Sequence, residues 1–576
     1  MRKKNLALRP FLEAVTAYCQ PLTKDQLQRV VLNLAEEVAS AERAAFLANL
    51  TASPAKGDGP RGAGKDDNPD LLIQVEELRQ EIKARIDAIE EGSFYEEDDD
   101  YGGYHDDYEA EYLGDEHKAA LAGLFAEAGH LFLSGNMAAA QALYDRLFAL
   151  LREIDEQDAG WLETDIDPRE ARARYCRCVY EMAEEKGRVA EVVAAMEVEV
   201  KTHPFADEPD NYPSLRDVMD AQGGDLPNFA AFLPAWEQAL ADKGCAATRL
   251  AGLRMEAAFM RGGLAAVVSL AREWQAQQPK GYLFWLKMLE GSAQWPALRD
   301  AAQEALVAIP MGEEREQAAR FLITAALALK DDALLLGGRR ERFCSMPKAW
   351  NLLPLLAEAA RQQLREQELA AAITILMERK SESAFTERSL AVKALLMAGR
   401  LAEAQAVVAK AKPVGWSYDS SVAVVVAAVL HLVAGDLPDL TLTRELLLEY
   451  AGQGGIPFDF AEDDEEEEFS LAQEITRGLA LVDRKAAVVA RCHEWARAMG
   501  EARINHIVTN KRRHSYDRAA QVLGALAEAQ VAMGDRAGAE QLLRDYYQVR
   551  YNRFAAFRKE VKAVVSKSPA LRGFKL

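Results

Sequence analysis

The sequence predicts an all-α protein, and three observations support this. The residues that lose least on entering a helix, Ala, Leu, Glu, Arg and Gln, dominate the chain. Runs of alternating Val, Ile and Thr bounded by turn residues, which are typical of strands, are nearly absent. Apolar residues instead recur at the three- and four-residue spacing of helices. The chain has 576 residues, 49% of them hydrophobic, which is enough for several domains or one long repeat array.

Residues 1–50 are predicted to form a small N-terminal helical bundle. Three apolar residues of a first helix follow at near-helical spacing: Phe11, Val15 and Tyr18. Thr23 and Gln26 have the spacing of a capping box, which predicts that a second helix over residues 26–38 begins there. A third helix over residues 41–50 completes the bundle.

Residues 51–116 contain one predicted helix between two segments without apolar periodicity. Residues 51–69 are rich in Gly, Pro and Asp, so we expect a flexible linker. Residues 70–90 predict an amphipathic helix. Residues 91–116 predict an acidic, Tyr-rich loop. The stretch 90–116 holds 13 acidic residues and no Lys or Arg, and the mutual repulsion of the carboxylates opposes a packed core.

A weak repeat begins near residue 117. Three glycines are each followed by an alanine five residues later and by a large apolar residue nine residues later. The glycines are Gly135, Gly399 and Gly534, and the alanines are Ala140, Ala404 and Ala539. This pattern predicts helical hairpins in which the glycine forms the turn and the alanine allows close packing of the second helix on the first.

The pattern resembles the tetratricopeptide repeat, a helical hairpin of about 34 residues that stacks into an α-solenoid. The Trp-x2-Leu-Gly start of that repeat is missing. The resemblance implies an α-solenoid of hairpins over residues 117–451 and basic C-terminal helical repeats over residues 471–576. Acidic composition predicts a loop between them, over residues 452–470. Residues 516–557 also resemble the helical tail of bacterial proteins with a SWIM-type zinc finger, but the Cys-x-Cys…Cys-x-His motif is missing, so no metal site is implied.

No cofactor, metal or catalytic motif is predicted. The string Gly57-x-Gly59-x-x-Gly62 needs a strand before it and a helix after it to bind phosphate, and the predicted linker provides neither. Cys176 and Cys178 would point about 200° apart on a helix and could not share an ion. No nucleophile with a neighbouring base is found, so we predict a protein that is not an enzyme, although a site assembled from distant residues stays open.

Two acidic tracts, residues 90–116 and 459–468, are the clearest features outside the predicted cores. The first tract interleaves carboxylates with tyrosines, and its candidate partner-binding residues are Tyr95, Asp98, Asp99, Asp100, Tyr101, Tyr104 and Tyr108. They predict a protein partner that is basic or carries a basic segment. The alternative is a solvated loop that only keeps the chain soluble.

The C-terminal residues have the opposite charge. Residues 500–576 hold 15 Lys and Arg against 7 Asp and Glu, a net charge of +8, while residues 1–499 carry −30. The candidate partner-binding residues are Lys511, Arg512 and Arg513, with Arg550, Arg553, Arg558, Lys559 and Lys562 further along. They could contact nucleic-acid phosphates, pair with the acidic loops of the chain itself, or form the solvated face of the last helices.

Together these features predict a non-enzymatic protein–protein interaction scaffold in a bacterial-type cytoplasm. The alternative is a nucleic-acid-associated accessory protein that contacts phosphate through the basic C-terminal block. The apolar run 422–430 is about half the length of a membrane span, and no apolar core follows the basic N-terminal residues, so neither a membrane segment nor a secretory signal is predicted. Six scattered cysteines fit a reducing compartment.

Overall fold

The computed structural model describes residues 8–37, 68–91, 113–156, 166–202, 205–206, 208–243, 248–378, 386–416, 420–435, 437–452, 470–485 and 487–576. Within these ranges every regular element is a helix and no strand occurs, which confirms the all-α prediction. The chain divides into two compact units, Met1–Gly281 and Tyr282–Leu576. The boundary falls inside the repeat array predicted over residues 117–451.

Ten described helices belong to the first unit: α1 (Leu8–Cys19), α2 (Lys24–Glu37), α3 (Asn68–Glu90), α4 (Asp115–Leu133), α5 (Met137–Glu156), α6 (Pro168–Met182), α7 (Arg188–Met196), α8 (Leu215–Asp220), α9 (Phe229–Asp242) and α10 (Thr248–Trp274). Helix α11 (Lys280–Gly291) crosses the boundary. The second unit continues with α12 (Trp295–Ala308), α13 (Glu313–Leu329), α14 (Asp332–Ser345), α15 (Ala349–Arg361), α16 (Arg365–Glu378), α17 (Thr386–Met397), α18 (Leu401–Val408), α19 (Ser421–Ala434), α20 (Thr441–Gly452), α21 (Leu471–Leu479), α22 (Ala487–Thr509), α23 (Tyr516–Ala532), α24 (Arg536–Arg544) and α25 (Ala555–Lys567).

Helix α2 begins at Lys24, two residues before the predicted start, and both N-terminal helices expose part of their apolar faces. The Thr23 N–H donates to Gln26 Oε1 (2.8 Å) and the Gln26 N–H donates to Thr23 Oγ1 (3.4 Å), so the capping box that opens α2 is confirmed. On α1, the apolar residues Phe11, Val15 and Tyr18 are 49%, 41% and 61% exposed. The predicted third helix lies outside the described residues, so the bundle stays a prediction.

The predicted repeat turns are confirmed at all three glycines. Gly135, Gly399 and Gly534 have φ angles of 84°, 69° and 86°, and they join α4 to α5, α17 to α18, and α23 to α24. Glycine adopts this left-handed conformation without the steric cost that a Cβ adds. The alanines five residues later, Ala140, Ala404 and Ala539, are fully buried.

The same turn occurs at four further helix ends where the left-handed residue is not glycine. Ala293, Lys330, Gln363 and Lys511 have φ angles of 54°, 55°, 60° and 56°. At all seven described turns, the left-handed residue donates its N–H to the carbonyl three residues earlier, and the next residue donates to the carbonyl five residues earlier. This is the Schellman pattern, which satisfies the last carbonyls of a helix and reverses the chain.

Consecutive helices from α12 to α17 pack against one another, an arrangement compatible with a helical repeat. Helix α19 is buried on all sides: every residue from Val422 to Leu432 is buried, and α17, α20, α22 and α23 surround it. Among the described helices, none combines the length and the hydropathy that a membrane-spanning segment requires.

Two buried carboxylates connect helices within the second unit. Glu474 of α21 accepts a hydrogen bond from Arg365 Nε of α16 (3.0 Å), and their side chains are only 4% and 8% exposed. Glu528 of α23 accepts from the Thr443 N–H at the start of α20 (3.0 Å) and from the Ser568 hydroxyl (2.6 Å). These carboxylates are therefore used to hold helices together.

Candidate functional site

The predicted partner-binding residues form two groups, and the structure describes only one of them. The acidic group, Tyr95, Asp98, Asp99, Asp100, Tyr101, Tyr104 and Tyr108, lies outside the described residues, as does the tract 459–468. The basic group, Lys511, Arg512 and Arg513, is described. The candidate site is therefore built from these three cations.

The three cations lie on the turn that joins α22 to α23. Because Lys511 is left-handed, its N–H donates to Val508 O (3.1 Å) and the chain reverses there. A short 3-10 turn over Arg513–Ser515 then leads into α23. The side chains of Lys511, Arg512 and Arg513 are exposed, and no described carboxylate lies within ion-pair distance of any of them.

A second turn is held beside the first. The Tyr551 hydroxyl donates to Asn505 Oδ1 on α22 (2.9 Å), and the ring centroids of Tyr516 and Phe557 are 5.8 Å apart. These contacts place the turn before α25, with its exposed Arg553, at the same end of the helices as the α22–α23 turn. Arg553 also has no ion-pair partner among the described residues.

We call Lys511, Arg512, Arg513 and Arg553 the C-terminal basic surface. The sequence places Lys559 in the same basic block, and its side chain is exposed on α25. The four cations of this surface differ from the other cations nearby because they have no ion-pair partner among the described residues.

Three other cations of the block have partners within the chain. Arg550 Nε lies 2.6 Å from Asp545 Oδ2. Arg558 Cζ and Lys562 Nζ lie 4.3 Å and 5.7 Å from the ring centroid of Tyr547. Burial acts to raise the pKa of Tyr547, but hydrogen bonds from Lys562 and Arg558 outweigh it and lower the pKa.

Two largely buried side chains that carry hydrogen-bond donors lie close to the C-terminal basic surface. Arg503 of α22 is only 6% exposed, and its Cζ lies 5.7 Å from the ring centroid of Trp416. Trp416 Nε1 is buried and has no hydrogen-bond acceptor among the described residues, and no described residue accepts from the Arg503 guanidinium. Burial lowers the pKa of Arg503, Tyr450 acts to raise it, and the guanidinium groups of Arg518 and Arg512 lower it further.

This arrangement favours an anionic acceptor. Hydrogen bonds from guanidinium groups to carboxylate or phosphate are about twice as strong as neutral ones and are often bidentate. The buried Trp416 N–H without an acceptor is costly, so an anion that reaches it beside Arg503 would remove an unfavourable term as well as add an attractive one. Sequence reasoning missed Arg503 and Trp416, because they are distant in the chain and neither belongs to a motif.

Cys176 and Cys178, and the neighbours Cys492 and His493, are buried on helices. Burial raises the pKa of Cys176 and of Cys178, in both cases to about 12. Burial also raises the pKa of Cys492 and lowers that of its neighbour His493. Across the described ranges, no three His, Cys, Asp or Glu side chains are grouped as metal ligands.

No model of a known protein family matches the chain, and no curated protein matches it in sequence. The resemblances to the tetratricopeptide repeat and to the SWIM-type tail therefore remain predictions.

Proposed function

We propose that the chain is a non-enzymatic interaction scaffold built on tetratricopeptide-like hairpins, and that a protein partner docks an acidic segment on the C-terminal basic surface. One observation carries the proposal. Four exposed cations without described ion-pair partners lie at one end of the helices, close to the largely buried Arg503 side chain and to the Trp416 N–H that lacks an acceptor.

The charge distribution supports an acidic segment at this position. The exposed cations would attract the acidic segment over a distance and so raise the association rate. The guanidinium of Arg503 would bind the segment at short range and so contribute specificity. The chain as a whole carries −22, so an acidic segment is repelled over most of the surface. Attraction is therefore concentrated at the C-terminal basic surface.

The basic partner predicted from the sequence would bind a different part of the chain. It depends on the acidic tracts, which lie outside the described residues, and it stays a prediction. A partner with segments of both charges would satisfy both expectations.

Contact with nucleic acid is the second candidate function. The net charge of +8 on residues 500–576 favours it, because phosphate accepts hydrogen bonds from Arg and Lys as carboxylate does. The charge of −30 on residues 1–499 opposes it, since a long polyanion passes near more of the chain than a short acidic segment does.

The test combines partner capture with a matched pair of variants. The full chain is used to recover proteins from its native lysate, and the recovered protein is purified and titrated directly. The site variant replaces Lys511, Arg512 and Arg513 by Ser, and we expect it to weaken binding roughly tenfold, a loss of about 1.4 kcal/mol.

The control variant makes the same change in net charge elsewhere in the second unit. It replaces Lys330, Arg388 and Lys485, which are all exposed, by Ser. We expect less than about a twofold change. Equal weakening by both variants would contradict the proposed surface, and recovery that is abolished by nuclease would reject the protein partner in favour of nucleic acid.

A further inference from the structure

Two arginines of the first unit stack on one tyrosine. Arg172 lies on α6, Arg249 lies at the start of α10, and Tyr212 lies between α7 and α8. The Cζ atoms of Arg172 and Arg249 are 4.0 Å and 3.9 Å from the ring centroid of Tyr212. The two positive charges are therefore no more than about 8 Å apart and repel each other.

Both guanidinium groups have donors without acceptors. Arg172 is only 3% exposed; its Nη2 donates to Phe205 O (3.0 Å), but its Nε and Nη1 are buried and have no partner among the described residues. The Nε of Arg249 is also buried without a described acceptor. No described carboxylate forms an ion pair with either residue. A buried guanidinium in this state favours an anion at its open donors.

The neighbouring titratable groups do not supply that anion. Cys176 lies one turn after Arg172 and is fully buried, and burial raises the pKa of its thiol to about 12, although Arg172 and Arg249 act to lower it. The thiol is therefore neutral near pH 7. Glu256 of α10 instead accepts from the backbone N–H groups of Leu215 (2.8 Å) and Arg216 (2.9 Å).

We propose that Arg172 and Arg249 form a binding site for the oxyanion group of a small molecule, either a carboxylate or a phosphate. The open Nε and Nη1 of Arg172 point to different sides of the guanidinium, so one oxygen of such a group can accept a charge-assisted hydrogen bond from either of them. Tyr212 holds both planar groups in place through stacking. This site lies in the first unit and does not depend on the C-terminal basic surface.

Thermal stability of the full chain tests the proposal, with inorganic phosphate and citrate as probes. Each is compared with chloride at equal ionic strength, so that only specific binding separates the samples. Phosphate, citrate or both should raise the Tm by about 2 °C or more, because a ligand that binds only the folded state stabilises it. A rise with citrate alone assigns the site to carboxylates.

Three variants test whether any rise depends on Arg249. Arg249→Met keeps an aliphatic contact with Tyr212 but loses the charge, and it should abolish the rise. Arg249→Lys keeps the charge without the planar group and should retain only part of it. Arg261→Met, on the exposed face of the same helix, should leave the rise unchanged. Circular dichroism confirms that each variant is folded.

Three results would overturn the proposal. In the first, neither probe raises the Tm of the native chain more than chloride does. In the second, the rise persists in Arg249→Met. The third concerns Asp207, which lies outside the described residues and carries a second carboxylate. If phosphate or citrate raises the Tm of Asp207→Asn but not that of the native chain, the acceptor belongs to the chain itself and the site binds no external ligand.

Discussion

Exchanging glycine between two equivalent turns of the second unit should move stability in opposite directions. Gly534 and Gln363 are both left-handed, with φ angles of 86° and 60°, and both form the same pair of backbone hydrogen bonds. A Cβ built at Gly534 meets no atom within 4 Å, and Gln363 is exposed, so packing contributes little at either position. The effect of each substitution therefore comes from the backbone.

The magnitude follows from two opposing backbone terms. A residue with a Cβ costs about 1–2 kcal/mol in the left-handed conformation, while glycine costs about 0.4–1 kcal/mol through the entropy of the unfolded chain. Gly534→Ala should therefore destabilise the second unit by about 1 kcal/mol, and Gln363→Gly should stabilise it by a similar amount. In a unit of this size each change moves the Tm by about 2 °C.

Calorimetric melts of the full chain measure both changes on the transition of the same unit. Gln367→Gly makes the same replacement at an exposed, helical position of α16 and is the control. It should destabilise by about 0.5–1 kcal/mol, because glycine is unfavourable within a helix. A Gln363→Gly variant that melts below the native chain would refute the reasoning. So would a Gly534→Ala variant that melts with the native chain.

Three further changes test the packing. Ala404→Asp should lower the free energy of unfolding by more than about 3 kcal/mol, because Ala404 is fully buried. Ala402→Asp, on the exposed face of the same helix, should be nearly neutral. Equal Tm shifts would show that the buried face of this helix has been assigned incorrectly. Glu474→Gln should cost about 3 kcal/mol in urea melts, since it leaves the buried Arg365 with only the exposed Glu366 as a charge partner. A loss below about 1 kcal/mol would contradict that role. Burial raises the pKa of Glu528 above the unfolded value of 4.5, so its contribution to stability is lost as pH rises through the folded-state pKa. The Tm of Glu528→Gln minus the Tm of the native chain should therefore increase between about pH 4.5 and pH 7. A constant difference would contradict this expectation.

The helical fold and part of the repeat could be predicted because their signals are local. Residue type and spacing identify helices, and glycine marks a left-handed turn wherever it occurs, as at Gly399. The turns at Ala293, Lys330 and Gln363 could not be predicted in this way. Their residue types carry no preference for positive φ, and packing of the adjoining helices compensates for the cost.

Only the exposed residues of the candidate site could be predicted from the sequence. A run of adjacent cations such as Lys511–Arg513 is visible in the sequence, and its exposure follows from the charge. Arg503 resembles an ordinary solvent-facing residue of an amphipathic helix, and only the packing of distant segments buries it near Trp416. Arg172 and Arg249 were missed for the same reason.

Site-specific photo-cross-linking tests the central claim, that a partner docks an acidic segment on the C-terminal basic surface, most directly. A photoreactive amino acid replaces His514, an exposed residue next to Arg513, and in a second chain it replaces Val307, which is 89% exposed on α12. Cross-linked peptides are then identified by mass spectrometry. We predict that one protein is cross-linked from position 514, through a peptide rich in Asp and Glu, and that none is cross-linked from position 307. Cross-links from position 307 alone, or from position 514 to nucleic acid, would contradict this prediction.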